Sequence, residues 1–138
     1  MGDQIYFTIP GVATAKWIEQ SRLVHVRWEG WANAAEFGAL LDAEVRALKE
    51  HGGTCLLADC RLQRVLSPDE QQRANRDWVP RAVEAGLKRF AVVLPLSDMA
   101  AGHLQERLGE VSGSGFEVSY FTTVEDAEQW LQAENRRP

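Results

Sequence analysis

Little in this sequence points to a membrane, a metal or a nucleotide. No apolar run approaches the roughly 20 residues that a membrane-spanning helix needs, and no basic stretch precedes an apolar one near the N-terminus. The chain has two cysteines and three histidines, and no pair of them has the spacing of metal ligands. It contains neither a GxGxxG motif nor a phosphate-loop lysine motif. We therefore expect a soluble, cytoplasmic protein without export, membrane insertion, metal, cofactor or nucleotide hydrolysis.

Positive charge is also scarce. Fifteen lysines and arginines stand against 20 acidic residues, which gives a net charge of −5. Such a balance repels phosphate backbones, so we expect no nucleic-acid partner. The apolar share of 45% and the charged share of 25% are close to globular averages. Because 138 residues suit one hydrophobic core and no repeat or linker interrupts them, the sequence predicts a single domain over residues 1–138.

The two cysteines, Cys55 and Cys60, lie five positions apart. On one extended strand that separation is about 16 Å, with the side chains on opposite faces of the sheet. We expect no disulfide between them, which suits a reducing compartment.

Three extended segments open the chain, at residues 5–9, 15–19 and 23–28. Apolar and polar residues alternate in the first segment, and a Pro-Gly turn ends it. A short polar connection separates the other two, which predicts an antiparallel hairpin. One face of this hairpin carries Val24, Val26 and Trp28.

Helices and strands alternate in the rest of the chain. A capping box at Asn33 predicts a helix that ends near residue 52, and Ser67 predicts the start of a helix with a bend or an interruption at Pro80. The other predicted elements are strands at 54–59, 89–94 and 116–121, helices that begin at Ser97 and Thr122, and a turn over 109–115. Two arginines, at 136–137, suit the negative end of the last helix. This order predicts an α/β fold in which about four helices pack on a mixed sheet of five or six strands.

Several segments of this pattern are similar to a known family. They are Arg27-Trp28-Glu29-Gly30, Leu56-Leu57-Ala58-Asp59, the helix with Trp78, Pro80 and Ala82, and residues 85–93 and 125–131. Together they resemble the small bacterial STAS-like, or SpoIIAA-like, domains, in the branch related to the lipid-binding CRAL-TRIO modules. The resemblance covers nearly the whole chain and implies a module without catalysis that binds a protein partner or a small ligand.

The same resemblance bears on phosphorylation. In switchable STAS domains, a phosphorylated serine or threonine follows the aspartate at the end of the central strand. Here Cys60 follows Asp59. We therefore expect no phosphorylation switch of that kind.

The segment from Asp59 to Ser67 is the best candidate for a site, because open α/β sheets bind ligands beyond the carboxyl ends of their strands. Arg61 and Arg64, beside the helix start at Ser67, have the charge to hold an anion. The alternative is that Ser67 acts only as a cap and both arginines are solvated.

A cysteine and a tryptophan in this region can each be interpreted either as functional or as structural. Cys60 is a nucleophile if nearby charge lowers its pKa, and a structural thiol otherwise. Trp31, close to Trp28, suits an interface or an apolar pocket, whereas core packing explains most of the tryptophans.

Three hypotheses follow. The first is a homodimeric STAS-like binding module that contacts a protein or small ligand through the loop after Asp59 and the helix over residues 68–85. The second is a carrier that holds an apolar or lipid-like ligand between the sheet and that helix, near Trp78 and Pro80. The third is an enzyme that uses Cys60 or Asp59, for which the sequence supplies no acid or base partner.

Overall fold

The computed structural model of the chain describes residues 2–65, 67–109 and 115–136. Its strands are β1 (Gln4–Ile9), β2 (Ala13–Ile18), β3 (Leu23–Trp28), β4 (Trp31–Ala32), β5 (Cys55–Asp59), β6 (Arg64–Val65), β7 (Arg89–Val93) and β8 (Glu117–Phe121). Its helices are α1 (Ala34–His51), α2 (Pro68–Ala85), α3 (Asp98–Gly109) and α4 (Val124–Asn135). Most of the predicted turn over 109–115 lies outside the described residues, as does Arg137.

Six strands form one mixed sheet in the order β1-β2-β3-β5-β7-β8. The first three pair antiparallel, and β3, β5, β7 and β8 pair parallel. The predicted α/β fold with a mixed sheet and about four helices is confirmed. A separate pair, β4 with β6, brings Trp31 opposite Arg64. The sequence did not predict it, because two-residue strands leave no periodic pattern.

The helices pack on both faces of the sheet. One core cluster joins α1, α2 and α3 to alternate strand residues that include Val24, Val26 and Leu56. A second cluster, on the opposite face, joins α4 to Leu57 and its neighbours. All five residues of β5 and of β7 are buried, as expected for central strands covered on both faces.

The two cysteines lie on opposite faces, as predicted. Cys55 belongs to the cluster under α4, and Cys60 to the cluster under the other three helices. Both are free and buried.

Three local expectations need correction. The hairpin strand predicted at 15–19 begins at Ala13, because its pairing with β3 extends to Trp28. The last helix is capped by Thr123 instead of Thr122, since the Thr123 hydroxyl accepts a hydrogen bond from the Asp126 amide at 3.2 Å. Both threonines have an acidic residue three positions on, so the sequence offered two equivalent starts.

The third correction concerns Pro80, where a bend or an interruption was expected: α2 continues through it, so the interruption is wrong and the bend stays a prediction. Trp78, Val79 and Ala82 are buried on either side of Pro80. Because these side chains fix the last turns against the core, packing outweighs the loss of one backbone donor.

Candidate functional site

A groove of about 530 Å³ opens at the carboxyl edge of the parallel strands. Loops that follow β3, β5 and β7 form its walls, together with the first turn of α2 and one side of α3. Its lining residues are Glu29, Trp31, Arg61, Leu62, Gln63, Arg64, Pro68, Pro95, Leu96, Ser97, Ala100, His103 and Arg107. We call this feature the edge groove.

The order of the strands explains why the edge groove is built from loops. In doubly wound sheets a crevice opens where the strand order reverses. Here β3, β5, β7 and β8 follow one another without reversal, and the three connecting helices belong to one core cluster. The groove is therefore not a switch-point crevice, although it lies at the edge where the sequence predicted a site.

Exposed apolar side chains are concentrated at this edge. Among the described residues, five large apolar side chains are exposed, and three of them, Trp31, Leu62 and Leu96, line the groove. Leu96 is 76% exposed, and Met99, three positions later, is 72% exposed. The fifth, Ile5, lies on the edge strand β1. Apolar side chains grouped in this way are typical of a binding surface.

Asp59 ends β5 and fixes the loop that follows. Its side chain is 5% exposed and accepts hydrogen bonds from Arg61 Nε at 2.9 Å and from Arg61 Nη2 at 2.7 Å. The Arg61 backbone amide donates a third at 3.2 Å. Burial raises the pKa of Asp59, but the hydrogen bonds and charge of Arg61 outweigh it, so the pKa lies below its ordinary value. Asp59 is thus a buried, ionised anchor for the start of the groove wall.

The other predicted residues of this loop have different roles. Arg64 lies over the Trp31 ring, 5.9 Å from its centroid. Ser67 caps α2 by accepting a hydrogen bond from the Glu70 amide at 3.4 Å. It lines a cavity of about 30 Å³ beside the edge groove, and the two share Gln63 and Arg64. The structure therefore brings Trp31, Arg61 and Arg64 to one groove and leaves Ser67 next to it.

Cys60 has the surroundings of a structural thiol. It is 3% exposed, below the groove, and burial together with the negative charge of Asp59 and Glu44 raises the pKa of the thiol far above its ordinary value. A thiol in this environment stays protonated and reacts slowly.

Trp78 lies apart from the groove residues. It is 2% exposed, and its ring packs edge-on against Phe90 and Phe116, with centroids 5.6 and 5.8 Å away. These rings pack between α2 and the sheet, where the sequence suggested an apolar ligand.

Sequence reasoning missed Arg107, which lines the edge groove from α3. Its Nε atom is buried and has no hydrogen-bond partner among the described residues, and burial lowers the pKa of its guanidinium. His103 and Arg107 lie on one side of α3, while Leu104 and Leu108 face the core. The amphipathic spacing of α3 could be read from the sequence, but it does not indicate that the polar side of the helix faces a groove and not open solvent.

In the described part of the chain, no group of three His, Cys, Asp or Glu side chains is arranged to hold a metal ion. None of the described helices has both the length and the apolar character needed to cross a membrane. Comparison with known proteins finds no family model and no curated protein that matches this chain.

Proposed function

We propose that this chain is a STAS-like binding module that acts without catalysis and uses the edge groove as its contact site. The observation that carries the proposal is the grouping of Trp31, Leu62 and Leu96 in one groove beside arginine side chains. Volumes of about 300–1,000 Å³ are usual for small-molecule sites, and the edge groove lies in that range.

The groove wall is held in place before any ligand arrives. Three hydrogen bonds tie Arg61 to the buried Asp59. Leu62 and Gln63 follow directly in the chain, so the position of this wall depends on that anchor. Preorganisation of this kind reduces the entropy lost on binding.

The chemistry of Asp59 and Cys60 supports a role without catalysis. A general base needs a pKa near the working pH, whereas the pKa of Asp59 is lowered and its oxygens are engaged by Arg61. A nucleophilic cysteine needs a lowered pKa, whereas burial raises that of Cys60. Neither residue is poised for the enzyme hypothesis.

The carrier hypothesis has less support. It requires an apolar cavity near Trp78, and aromatic rings pack around that side chain. A small ligand of this protein is therefore proposed for the edge groove instead of the interior.

Native mass spectrometry of gently purified protein tests the proposal. The groove variant is Trp31→Ala with Leu62→Ser, and Ile5→Ser is its matched control, since Ile5 is also exposed but lies on β1. We expect a bound species on the wild type and on the control that is lost from the groove variant.

Two results would count against this proposal. One is a bound species that survives in the groove variant at the wild-type level, because it then binds elsewhere. The other is turnover of a co-purified molecule by the wild type. We also propose that the protein is a homodimer of the cytoplasm, and the mass of the intact complex in the same spectra checks the dimer.

A further inference from the structure

The edge groove is basic, although the chain as a whole is acidic. Three arginines line it, and Glu29 is the acidic residue of the lining. The net charge of the chain is −5. The sign of the charge is therefore reversed locally, at the place where apolar side chains are exposed.

The three arginines are not equivalent. Arg61 is neutralised by Asp59 through a bidentate ion pair. Arg64 and Arg107 have no acidic partner within residues 2–65, 67–109 and 115–136. The two arginines available for a ligand are thus Arg64 and Arg107, whereas the sequence suggested Arg61 and Arg64.

Arg107 in particular is partly buried but lacks a hydrogen-bond acceptor for one of its donors. Its Nε is buried without a hydrogen bond, and such a donor carries a desolvation cost until an acceptor satisfies it. The Nε itself has no accessible surface, so an oxyanion in the groove meets the rest of the Arg107 side chain, which lines the groove and whose charge no acidic side chain of the described residues neutralises. A guanidinium suits carboxylate, phosphate and sulfonate groups because it presents several donors in one plane.

Two helix starts also lie at the groove. Pro68 in the first turn of α2 and Ser97 at the start of α3 both line it. The dipole of each helix favours an anion at that end, but Asp69, Glu70 and Asp98 in the same turns offset part of this field, so the assignment rests on the arginines.

We propose that the ligand of the edge groove is a small amphiphilic anion, with its charged group on Arg64 and Arg107 and its apolar part against Trp31, Leu62 and Leu96. The inference rests on the proposed function, because it assigns a ligand chemistry to the same groove. Arg64 has a second role in it, since its guanidinium lies over the Trp31 ring and so borders both the charged and the apolar part of the groove.

Two fluorescent dyes of similar shape separate charge from apolar contact. Anilinonaphthalene sulfonate carries one sulfonate, and phenylnaphthylamine is its uncharged counterpart. Both are titrated into wild-type protein and into Arg107→Gln, Arg107→Lys, Arg64→Gln and the groove variant. Arg73→Gln, an exposed arginine of α2 outside the groove lining, is the matched control.

We expect the sulfonate dye to bind the wild type more tightly than the neutral dye. Arg107→Gln and Arg64→Gln should each raise its dissociation constant about tenfold, the usual size for a lost charged hydrogen bond. The same changes should leave the neutral dye within about twofold, and Arg107→Lys should lose less than Arg107→Gln, because it keeps the charge. Arg64→Gln replaces an exposed side chain, so its result does not depend on the folding of the Arg107 variants.

The other outcomes are distinguishable. Equal binding of both dyes, weakened by the groove variant but by neither arginine change, overturns the anion assignment and leaves the proposed function standing. If neither dye binds, or if the groove variant binds both like the wild type, the proposed function fails as well.

Discussion

Replacing Asp59 by asparagine should destabilise the protein and loosen the wall of the edge groove. The change keeps the shape of the side chain but removes its charge. The new amide group also places a donor where Arg61 Nη2 now donates to the Asp59 carboxylate at 2.7 Å. At least one of the hydrogen bonds with Arg61 is therefore lost.

The size of the effect follows from the exposure of each partner. Hydrogen bonds to charged groups contribute roughly 1.5–3 kcal/mol each. The Arg61 side chain is 39% exposed, so water recovers part of that loss and the estimate must be discounted. We expect Asp59→Asn to lower the free energy of unfolding by about 2 kcal/mol, which corresponds to about 8 °C in Tm for a domain of this size.

The reverse change, Arg61→Gln, should cost more. It leaves the Asp59 carboxylate, which is 5% exposed in the intact protein, without its counter-charge, whereas a released arginine reaches water. Breaking a fully buried pair costs about 3–5 kcal/mol, and because Arg61 is 39% exposed we expect the lower end of that range, about 3 kcal/mol. The double variant should be more stable than Arg61→Gln alone, because it no longer buries an unpaired charge.

The pH dependence supplies an independent check. The pKa of Asp59 is lower in the folded protein than its ordinary value of 3.8. A group shifted in this direction stabilises the fold above its unfolded pKa and loses that contribution as the pH falls through the folded pKa. The penalty of Asp59→Asn should thus be complete at pH 7 and should shrink below pH 3.8.

Urea unfolding followed by circular dichroism at pH 7 and at pH 3 measures all of these quantities. An Asp59→Asn variant as stable as the wild type at pH 7 would refute the reasoning. So would an Arg61→Gln variant that loses less stability than Asp59→Asn.

Three further predictions concern buried or closely packed residues. Burial raises the pKa of Glu44 well above 4.5, so stability should fall by about 1 kcal/mol per pH unit as the pH rises from 4.5 to the folded pKa and level off beyond it, and Glu44→Gln should remove this slope in urea unfolding. Cys60 should react with a thiol reagent only after denaturation, and fast labelling of the native protein would contradict its burial. A Cβ on Gly30 would lie 2.5 Å from the Gly11 carbonyl oxygen, so Gly30→Ala should cost about 1–3 kcal/mol, which a wild-type Tm would disprove.

The parts of the fold that were predictable from sequence are those with local causes. Asn33 and Glu36 form the capping box that starts α1, with hydrogen bonds of 2.7 and 2.9 Å. The short apolar run ending at Asp59 indicated a central strand, because a strand covered on both faces needs apolar side chains on both, and all five residues of β5 are buried. At Pro80 the same reasoning allowed an interruption that does not occur, since the rule for an isolated helix does not include the buried neighbours that hold α2 together.

The site was only partly predictable, because it depends on loops that meet through the fold. The segment after Asp59 could be chosen from its position at a strand end. Leu96 and Arg107 could not, since they reach the groove only when the crossover through α3 has been placed beside that segment. Asp59 and Arg61 are two positions apart in the sequence, but no pattern there indicates that their side chains form an ion pair. The STAS-like resemblance and the homodimer stay predictions.

The central claim is that ligands bind in the edge groove, and amide NMR during titration with anilinonaphthalene sulfonate tests it most directly. We predict that the largest shifts come from residues 61–64, from the groove side of α3 with Ala100, His103 and Arg107, and from the indole of Trp31. Shifts confined to the open face of β1 and β2, or to the surroundings of Trp78, would contradict the claim.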